Sequence, residues 1–181
     1  MKSVIFCTGN SQKFKYVSGL FSGSGIELVQ MPVDIDEIQH TDPEIIASRK
    51  ALDSFVHIKK PLFVTDTYWN IPALRGFPGA YMKEVNDWLT PDDFLRLLDG
   101  KKDRSVLVTD CIAFTDGNTT SVYKIELRGF IAHERYKTAG DSVNNLLQFD
   151  GKYLQEYYDS GEQITSEDAQ WRGFIESLDK Q

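Results

Sequence analysis

Short apolar runs alternate with turn-forming and amphipathic segments along the first part of the chain. The run from Lys2 to Cys7 is typical of a buried β-strand, and Thr8-Gly9-Asn10 ends it with a turn. Apolar residues then recur at helical spacing from about Ser11 to Phe21, and a second strand is predicted over Ile26 to Met31. A strand, a glycine turn and a helix start together present backbone N–H groups and a positive dipole end, which suits a phosphate.

Lys13 falls in the first turn of this predicted helix. A cation is unfavourable there unless an anion neutralises it, because the helix dipole is positive at its N-terminus. Two interpretations therefore stay open: an ordinary solvated lysine, and a lysine that contacts a bound phosphate.

A second helix is predicted to begin at Asp42-Pro43 and to run to about His57. Asp42 is a favourable N-cap and Pro43 a favourable first residue, while Glu44 in the first turn complements the helix dipole. Four apolar residues are expected on the packed side of this helix: Ile45, Ile46, Leu52 and Val56.

The next apolar run, Leu62 to Val64, predicts a buried strand that stops at Thr65-Asp66-Thr67. Glycine and proline residues then predict a loop as far as Gly79. The β-α-β order implies a crossover, and in open α/β sheets ligands bind outside the carboxyl ends of the strands. Asp66 is therefore a candidate catalytic residue, although an aspartate at this place also suits a turn cap.

The rest of the chain shows no internal repeat and no linker, and we expect a single domain over residues 1–181. The turn Asp116-Gly117-Asn118 predicts a hairpin. The remaining predicted elements are helices over Ala80–Trp88, Thr90–Gly100 and Thr165–Leu178, strands over Arg104–Thr115, Thr119–Arg128 and Ile131–Tyr136, and a segment that is mostly loop over Lys137–Gly151.

Composition narrows the class of protein. The chain has 181 residues, 41% hydrophobic and 26% charged, which is ordinary for one globular domain with a sizeable core. Neither a signal peptide nor an apolar run long enough to span a membrane is found, so no membrane partner is expected. Cys7 and Cys111 lie in apolar runs, and we interpret them as reduced, buried residues of a cytoplasmic protein rather than zinc ligands.

The formal net charge of −7 argues against broad binding to nucleic acid, which needs a basic face. It does not exclude a small polyphosphate held by a few local cations. With carboxylates in excess, a divalent metal is a natural carrier of the phosphates.

Three stretches, taken together, resemble the inosine triphosphate pyrophosphatases, a family of house-cleaning enzymes for non-standard purine nucleoside triphosphates. Thr8 to Lys13 is similar to the family's T-G-N-x-x-K phosphate turn. The helix that carries Glu44 is similar to the family's metal-binding helix, with the family's lysine falling on Arg49. The sequence FVTDTYWNIPALRGFPGAYMK resembles the signature around the catalytic aspartate. The resemblance covers nearly the whole chain, in order and at family spacing.

The resemblance implies an α/β fold with an elongated mixed β-sheet flanked by helices, in two lobes with a central cleft. It also implies a homodimer that hydrolyses a nucleoside triphosphate to the monophosphate and pyrophosphate with Mg²⁺. On the matching positions, Asp66 would activate water for attack on the α-phosphate, and Glu44 would hold the metal with it. The other implied substrate-binding residues are Thr8, Asn10, Lys13, Arg49 and Thr67.

The chain departs from the family pattern in two regions. The first of two paired acids is Thr65 here, so one carboxylate is missing beside Asp66. At the base-binding end, 141–145 has no ring where the family stacks an aromatic residue, and Gln170-Trp171-Arg172 keeps only the arginine of an S-H-R motif. We therefore expect an altered base preference, with Arg172 and Trp171 as candidate base contacts.

Alternatives remain open at both regions. Trp171 either stacks on the base or packs the terminal helix against the sheet. The loss at Thr65 favours a second hypothesis, a non-catalytic nucleotide-binding or interaction protein that retains the fold. The altered base end also leaves open a related phosphatase that acts on another phosphorylated metabolite.

Overall fold

A computed structural model describes residues 2–136 and 140–179, the side chains of 165–169 excepted. It contains one mixed sheet of eight strands with helices packed against it. The strands are β1 (Lys2–Phe6), β2 (Ile26–Gln30), β3 (Leu62–Asn70), β4 (Pro78–Gly79), β5 (Ser105–Thr115), β6 (Thr120–Ile131), β7 (Leu147–Phe149) and β8 (Lys152–Tyr153). The α-helices are α1 (Ser11–Leu20), α2 (Pro43–Ile58), α3 (Met82–Trp88), α4 (Pro91–Leu97), α5 (Leu154–Ser160) and α6 (Thr165–Asp179).

The strand order is β2-β1-β3-β5-β6-β7-β8, with β4 paired to β3. β1 is parallel to both β2 and β3. β4 is antiparallel to β3, and β7 is antiparallel to both β6 and β8. The mixed α/β sheet predicted from the sequence is thus confirmed. α2 is the crossover that connects the parallel strands β2 and β3.

The chain forms two compact units, the first made of Met1–Asp66, Asp110–Ile125 and Thr165–Gln181. Its core has two layers because strand side chains alternate between faces. On one face, Leu62 and Val64 of β3 pack with Ala47 and Ala51 of α2. On the other face, the ring of Phe63 packs against aromatic side chains near or within β1, α1 and α6: Phe6, Phe21, Trp171 and Phe174.

The second unit is made of Thr67–Thr109 and Glu126–Ile164. Trp69 is buried there, with its ring edge-on to Phe94 at a centroid distance of 6.5 Å. The buried Arg104 guanidinium donates hydrogen bonds to the carbonyls of Ile131 and Ala132 at the end of β6. No helix in the described parts of either unit is long and apolar enough to cross a membrane.

Two expectations about the region before and around Asp66 are wrong. β3 does not stop at Thr65-Asp66-Thr67 but continues to Asn70, so Asp66 lies within a strand. The packed side of α2 is formed by Ile46 and small residues rather than by all four predicted apolar residues. Its buried residues are Ile46, Ala47, Ala51 and Ser54, and the exposed ones include Ile45, Leu52 and Val56. Small side chains allow the helix to lie close to the sheet, so they take the buried face.

Downstream, the hairpin is confirmed, with Gly117 at φ +90° and the Asp116 carboxylate accepting hydrogen bonds from the next backbone N–H groups. The further strand predicted over Ile131–Tyr136 is wrong, since β6 ends at Ile131. β7 and a 3-10 turn at Val143–Leu146 lie in the described part of the predicted loop. α5 was not predicted, because its short run lacks a clear apolar period.

Candidate active site around Asp66

Asp66 lies just beyond the end of β1. Asp66 is a residue of β3, and the last register pair between β1 and β3 joins Phe6 to Phe63. β1 therefore does not pair with β3 at Asp66. Alternation along β3 puts the carboxylate on the face of Leu62 and Val64, which α2 covers. The side chain is only 12% exposed, and its buried Oδ2 has no hydrogen-bond partner in the described part of the chain. The first unit therefore contains a nearly buried carboxylate with one oxygen available.

Burial raises the pKa of Asp66 from 3.8 to about 6. The nearby positive charges of Lys50 and Lys13 oppose this rise, while the negative charges of Glu37 and Asp110 add to it. A carboxyl group in this range is ionised above neutral pH and still basic enough to accept a proton, which is what a general base requires.

Lys50, rather than Arg49, lies beside Asp66. Its Nζ is 3.9 Å from Asp66 Oδ1 and 2.8 Å from Glu37 Oε1. Arg49 pairs instead with Asp53 at 2.7 Å and lines a surface pocket of about 570 Å³. Neighbouring residues on a helix point about 100° apart, so only one of these two cations reaches the site. Arg49 at the phosphate site therefore stays a prediction, which its ion pair with Asp53 does not support.

The turn between β1 and α1 has the geometry expected of a phosphate turn. Asn10 is the N-cap of α1, since its Oδ1 accepts a hydrogen bond from the Lys13 backbone N–H at 2.9 Å. Thr8 Oγ1 accepts a hydrogen bond from the Asn10 backbone N–H. A Cβ atom on Gly9 would meet no other atom within 4 Å, so the turn is open at this residue. Backbone groups and a helix N-terminus are thus accessible at the turn.

A second acid, which the sequence analysis did not identify, pairs with Lys13 of this turn. Asp110 is in β5, the strand beside β3, and its Oδ1 is 3.6 Å from Lys13 Nζ. The sequence contained a weak signal for it, an acidic residue inside the apolar run of β5. Lys13 and Asp110 are far apart in the sequence, so residue spacing along one element could not predict that they form an ion pair.

Glu44 lies in the first turn of α2, one turn before the buried Ala47 on the same side of the helix. The negative charge of the Glu44 carboxylate contributes to raising the pKa of the buried Cys111 thiol. The pKa of Cys111 is raised to about 12, mainly by burial and also by the negative charges of Glu44, Asp110 and Asp66. Three carboxylates therefore lie around one thiol, although the described residues include no group of three or more side chains arranged to hold a metal ion.

The expected base contacts are only partly supported. Trp171 is 1% exposed, and its ring packs edge-on against Phe63 and Phe174 at centroid distances of 6.2 and 6.0 Å. The burial of its ring in the core of the first unit favours the alternative in which Trp171 packs the terminal helix against the sheet. Arg172 follows it on α6 and is exposed. Thr67 is half-buried, and strand alternation puts it on the face opposite Asp66.

Comparisons with known proteins show which family the whole chain resembles. A family model described as the Ham1 family matches residues 4–168. A dITP/XTP pyrophosphatase of Methanosarcina mazei is 32% identical over 160 residues, which cover 88% of this chain and 87% of the relative. An inosine triphosphate pyrophosphatase of Yarrowia lipolytica is 34% identical over 116 residues, covering 64% of this chain and 61% of that protein.

Solved structures give the same result for the fold. The Ham1 protein of Coxiella burnetii superposes with a TM-score of 0.79 at 18% identity, over 100% of both chains. The Ham1 protein of Staphylococcus aureus superposes with a TM-score of 0.71, also at 18% identity, over 99% of both chains.

Proposed function

Since this chain belongs to the Ham1 family, we propose that it hydrolyses a non-standard purine nucleoside triphosphate to the monophosphate and pyrophosphate. The resemblance to the inosine triphosphate pyrophosphatases, first noted on three motifs, is confirmed by the family match. The observation that carries the proposal is the carboxylate of Asp66, nearly buried, with an unpartnered oxygen and with lysines whose charges reach it.

In the proposed reaction, Asp66 orients a water molecule and accepts its proton as the water attacks the α-phosphate. The pKa of about 6 keeps the carboxylate ionised at the pH of the cytoplasm, so the base is ready without a further proton transfer. Phosphoryl transfer needs positioning and charge neutralisation more than covalent help. Lys13, Lys50 and the backbone of the turn at Thr8 to Asn10 supply both.

The residues of the site fit a divalent metal, which we propose to be Mg²⁺. Asp66 Oδ2 is a buried carboxylate oxygen without a hydrogen-bond partner in the described chain, and Glu44 is an exposed carboxylate at the start of α2. Mg²⁺ is commonly held by one or two carboxylates, with water and substrate phosphates completing the shell, so a third protein ligand is not required. Bound there, the metal would neutralise phosphate charge, and Asp66 and Glu44 would hold it.

The base preference is proposed to differ from that of the relatives. With Trp171 in the core, Arg172 is the remaining candidate from the terminal motif. Asn145, in the segment where the family stacks a ring, is also buried, and its Nδ2 donates to the carbonyl of Gly140.

The test is a panel of standard and modified ribo- and deoxyribonucleoside triphosphates with Mg²⁺, with pyrophosphate release as the measurement. We expect release from at least one non-standard purine nucleotide and its loss in Asp66→Asn. The matched control is Asp53→Asn, which removes an acid paired to Arg49 and should retain activity. Activity unaffected by Asp66→Asn, or no release across the whole panel, would count against the proposal.

A non-catalytic nucleotide-binding protein remains the second candidate function. Thr65, which is 9% exposed, stands directly before Asp66 where the family has an acid. Calorimetry that shows tight binding of a triphosphate with no hydrolysis would favour this candidate.

We also propose that the protein works as a cytoplasmic homodimer. Buried, reduced Cys7 and Cys111 are consistent with a reducing compartment. Sedimentation velocity that gives the mass of a single chain of 20.6 kDa at micromolar concentration would exclude the dimer.

A further inference from the structure

Asp110 is the one acidic residue in the eleven-residue strand β5, most of which is buried. Its side chain is 13% exposed, and that of its partner Lys13 is 20% exposed. An ion pair this far from solvent is less screened than a surface pair. The contact is therefore able to favour one position of the Lys13 ammonium.

The pair connects two parts of the site. Lys13 is in the first turn of α1, where the helix dipole disfavours a cation, and Asp110 supplies the neutralising anion from β5. The charges of both residues also reach Asp66: that of Lys13 lowers the pKa of Asp66, and that of Asp110 raises it. Lys13 and Asp110 are therefore near the proposed base as well as near each other.

We infer that Asp110 is a positioning residue, which holds the ammonium of Lys13 in the place where it meets the substrate phosphates. This inference rests on the proposed function. A lysine side chain has many rotamers, and a carboxylate that selects one of them reduces the ordering needed when the substrate binds. Asp110 acts through Lys13 and makes no contact with the reacting atoms.

Strand geometry indicates a substitute position for this carboxylate. Thr65 lies on the same face of β3 as Phe63, and Asp110 lies on the same face of β5 as Phe114. Phe63 and Phe114 both contact Phe174, so Thr65 and Asp110 share one face of neighbouring strands. An aspartate at Thr65 would therefore project from the same face of the sheet as Asp110.

The kinetic test is a double-mutant cycle on pyrophosphate release, with Asp110→Asn, Lys13→Met and the double variant. Asp110→Asn should lower kcat about tenfold by leaving Lys13 misplaced, without raising KM, since a negative charge near the triphosphate is also removed. In the Lys13→Met background, the same substitution should change kcat little. Glu162→Gln, which breaks the Lys152 pair in the second unit, is the control and should leave kcat unchanged.

An equal loss of kcat in both backgrounds, or a rise in KM with kcat unchanged, would overturn the inference.

Rescue by a second substitution gives a further test. Thr65→Asp combined with Asp110→Asn should recover most of kcat, because the new carboxylate lies on the same face of the adjacent strand.

A spectroscopic measurement tests the pair without turnover. In ¹H–¹⁵N spectra of lysine ammonium groups, assigned with Lys13→Met, an immobilised Lys13 should give a signal that Asp110→Asn removes and that added Thr65→Asp restores. If no nucleotide is hydrolysed, the proposed function fails, and these spectra alone decide the placement of Lys13. A Lys13 signal unchanged by Asp110→Asn would overturn that placement.

Discussion

Lys50 Nζ lies 3.9 Å from Asp66 Oδ1, and the same ammonium is 2.8 Å from Glu37 Oε1. The lysine is therefore shared between two acids, with the shorter contact to Glu37. Its charge lowers the pKa of Asp66 but does not offset burial, which is the larger effect and raises that pKa to about 6. The site thus retains a carboxylate that is costly to ionise, a property that several experiments can measure.

Replacing Asp66 should stabilise the fold while it removes activity. The folded protein binds a proton at Asp66 up to pH about 6, whereas an unfolded chain releases it near 3.8, so stability falls as pH rises between these values and stays lower above them. Asp66→Asn removes this penalty and should raise the free energy of unfolding at pH 8 by about 3 kcal/mol. Urea unfolding at pH 4 and pH 8 measures the difference.

In the same urea experiment, Asp53→Asn removes only a surface ion-pair partner, so the free energy of unfolding should stay within about 0.5 kcal/mol of the wild type. An Asp66→Asn variant less stable than wild type at pH 8 would contradict the assignment of a buried, unpartnered carboxylate.

The pH dependence of hydrolysis should show an acidic limb. Protonation of Asp66 removes the base, so kcat/KM should decline below pH about 6, where the carboxyl of the free enzyme takes up a proton. Steady-state rates between pH 5 and 9, in buffers of constant ionic strength, measure this limb. A profile that stays flat down to pH 5 would indicate that another group activates the water.

Lys50→Met should impair hydrolysis, and Arg49→Met should not. Lys50 is the cation beside Asp66, whereas Arg49 pairs with Asp53. Loss of Lys50 removes the largest effect that lowers the pKa of Asp66, so the acidic limb should also move to higher pH. Comparing kcat/KM and its pH profile for the two variants separates these neighbours on α2. An equal loss of kcat/KM in both variants would show that Arg49 also acts at the site.

Truncating Trp171 should affect stability rather than base recognition. Its ring is buried against Phe63 and Phe174, and Trp171→Ala should lower the free energy of unfolding by about 3–5 kcal/mol. Trp171→Phe retains an aromatic ring and should remain folded. The ratio of kcat/KM between two nucleotides should be unchanged in Trp171→Phe. A changed ratio would show that the ring reads the base.

Local signals predicted the regular elements well. Asp42 and Pro43 predicted the start of α2, because capping and a fixed proline φ act within one helical turn. The hairpin at Gly117 was likewise readable from adjacent residues. The packed side of α2 was not, since Ile45 and Val56 are as apolar as Ile46 and only the sheet decides which of them it covers.

The amino-acid sequence by itself determined that Asp66 closely follows a buried apolar run and that a turn and Lys13 follow another, because these features depend on neighbours along the chain. Only the tertiary structure decided that Lys50 and Asp110 are the partners of these two residues. Ion pairs between distant elements depend on the rotation of helices about their axes and on the order of strands in the sheet. The hydrophobic periodicity of one segment determines neither of these.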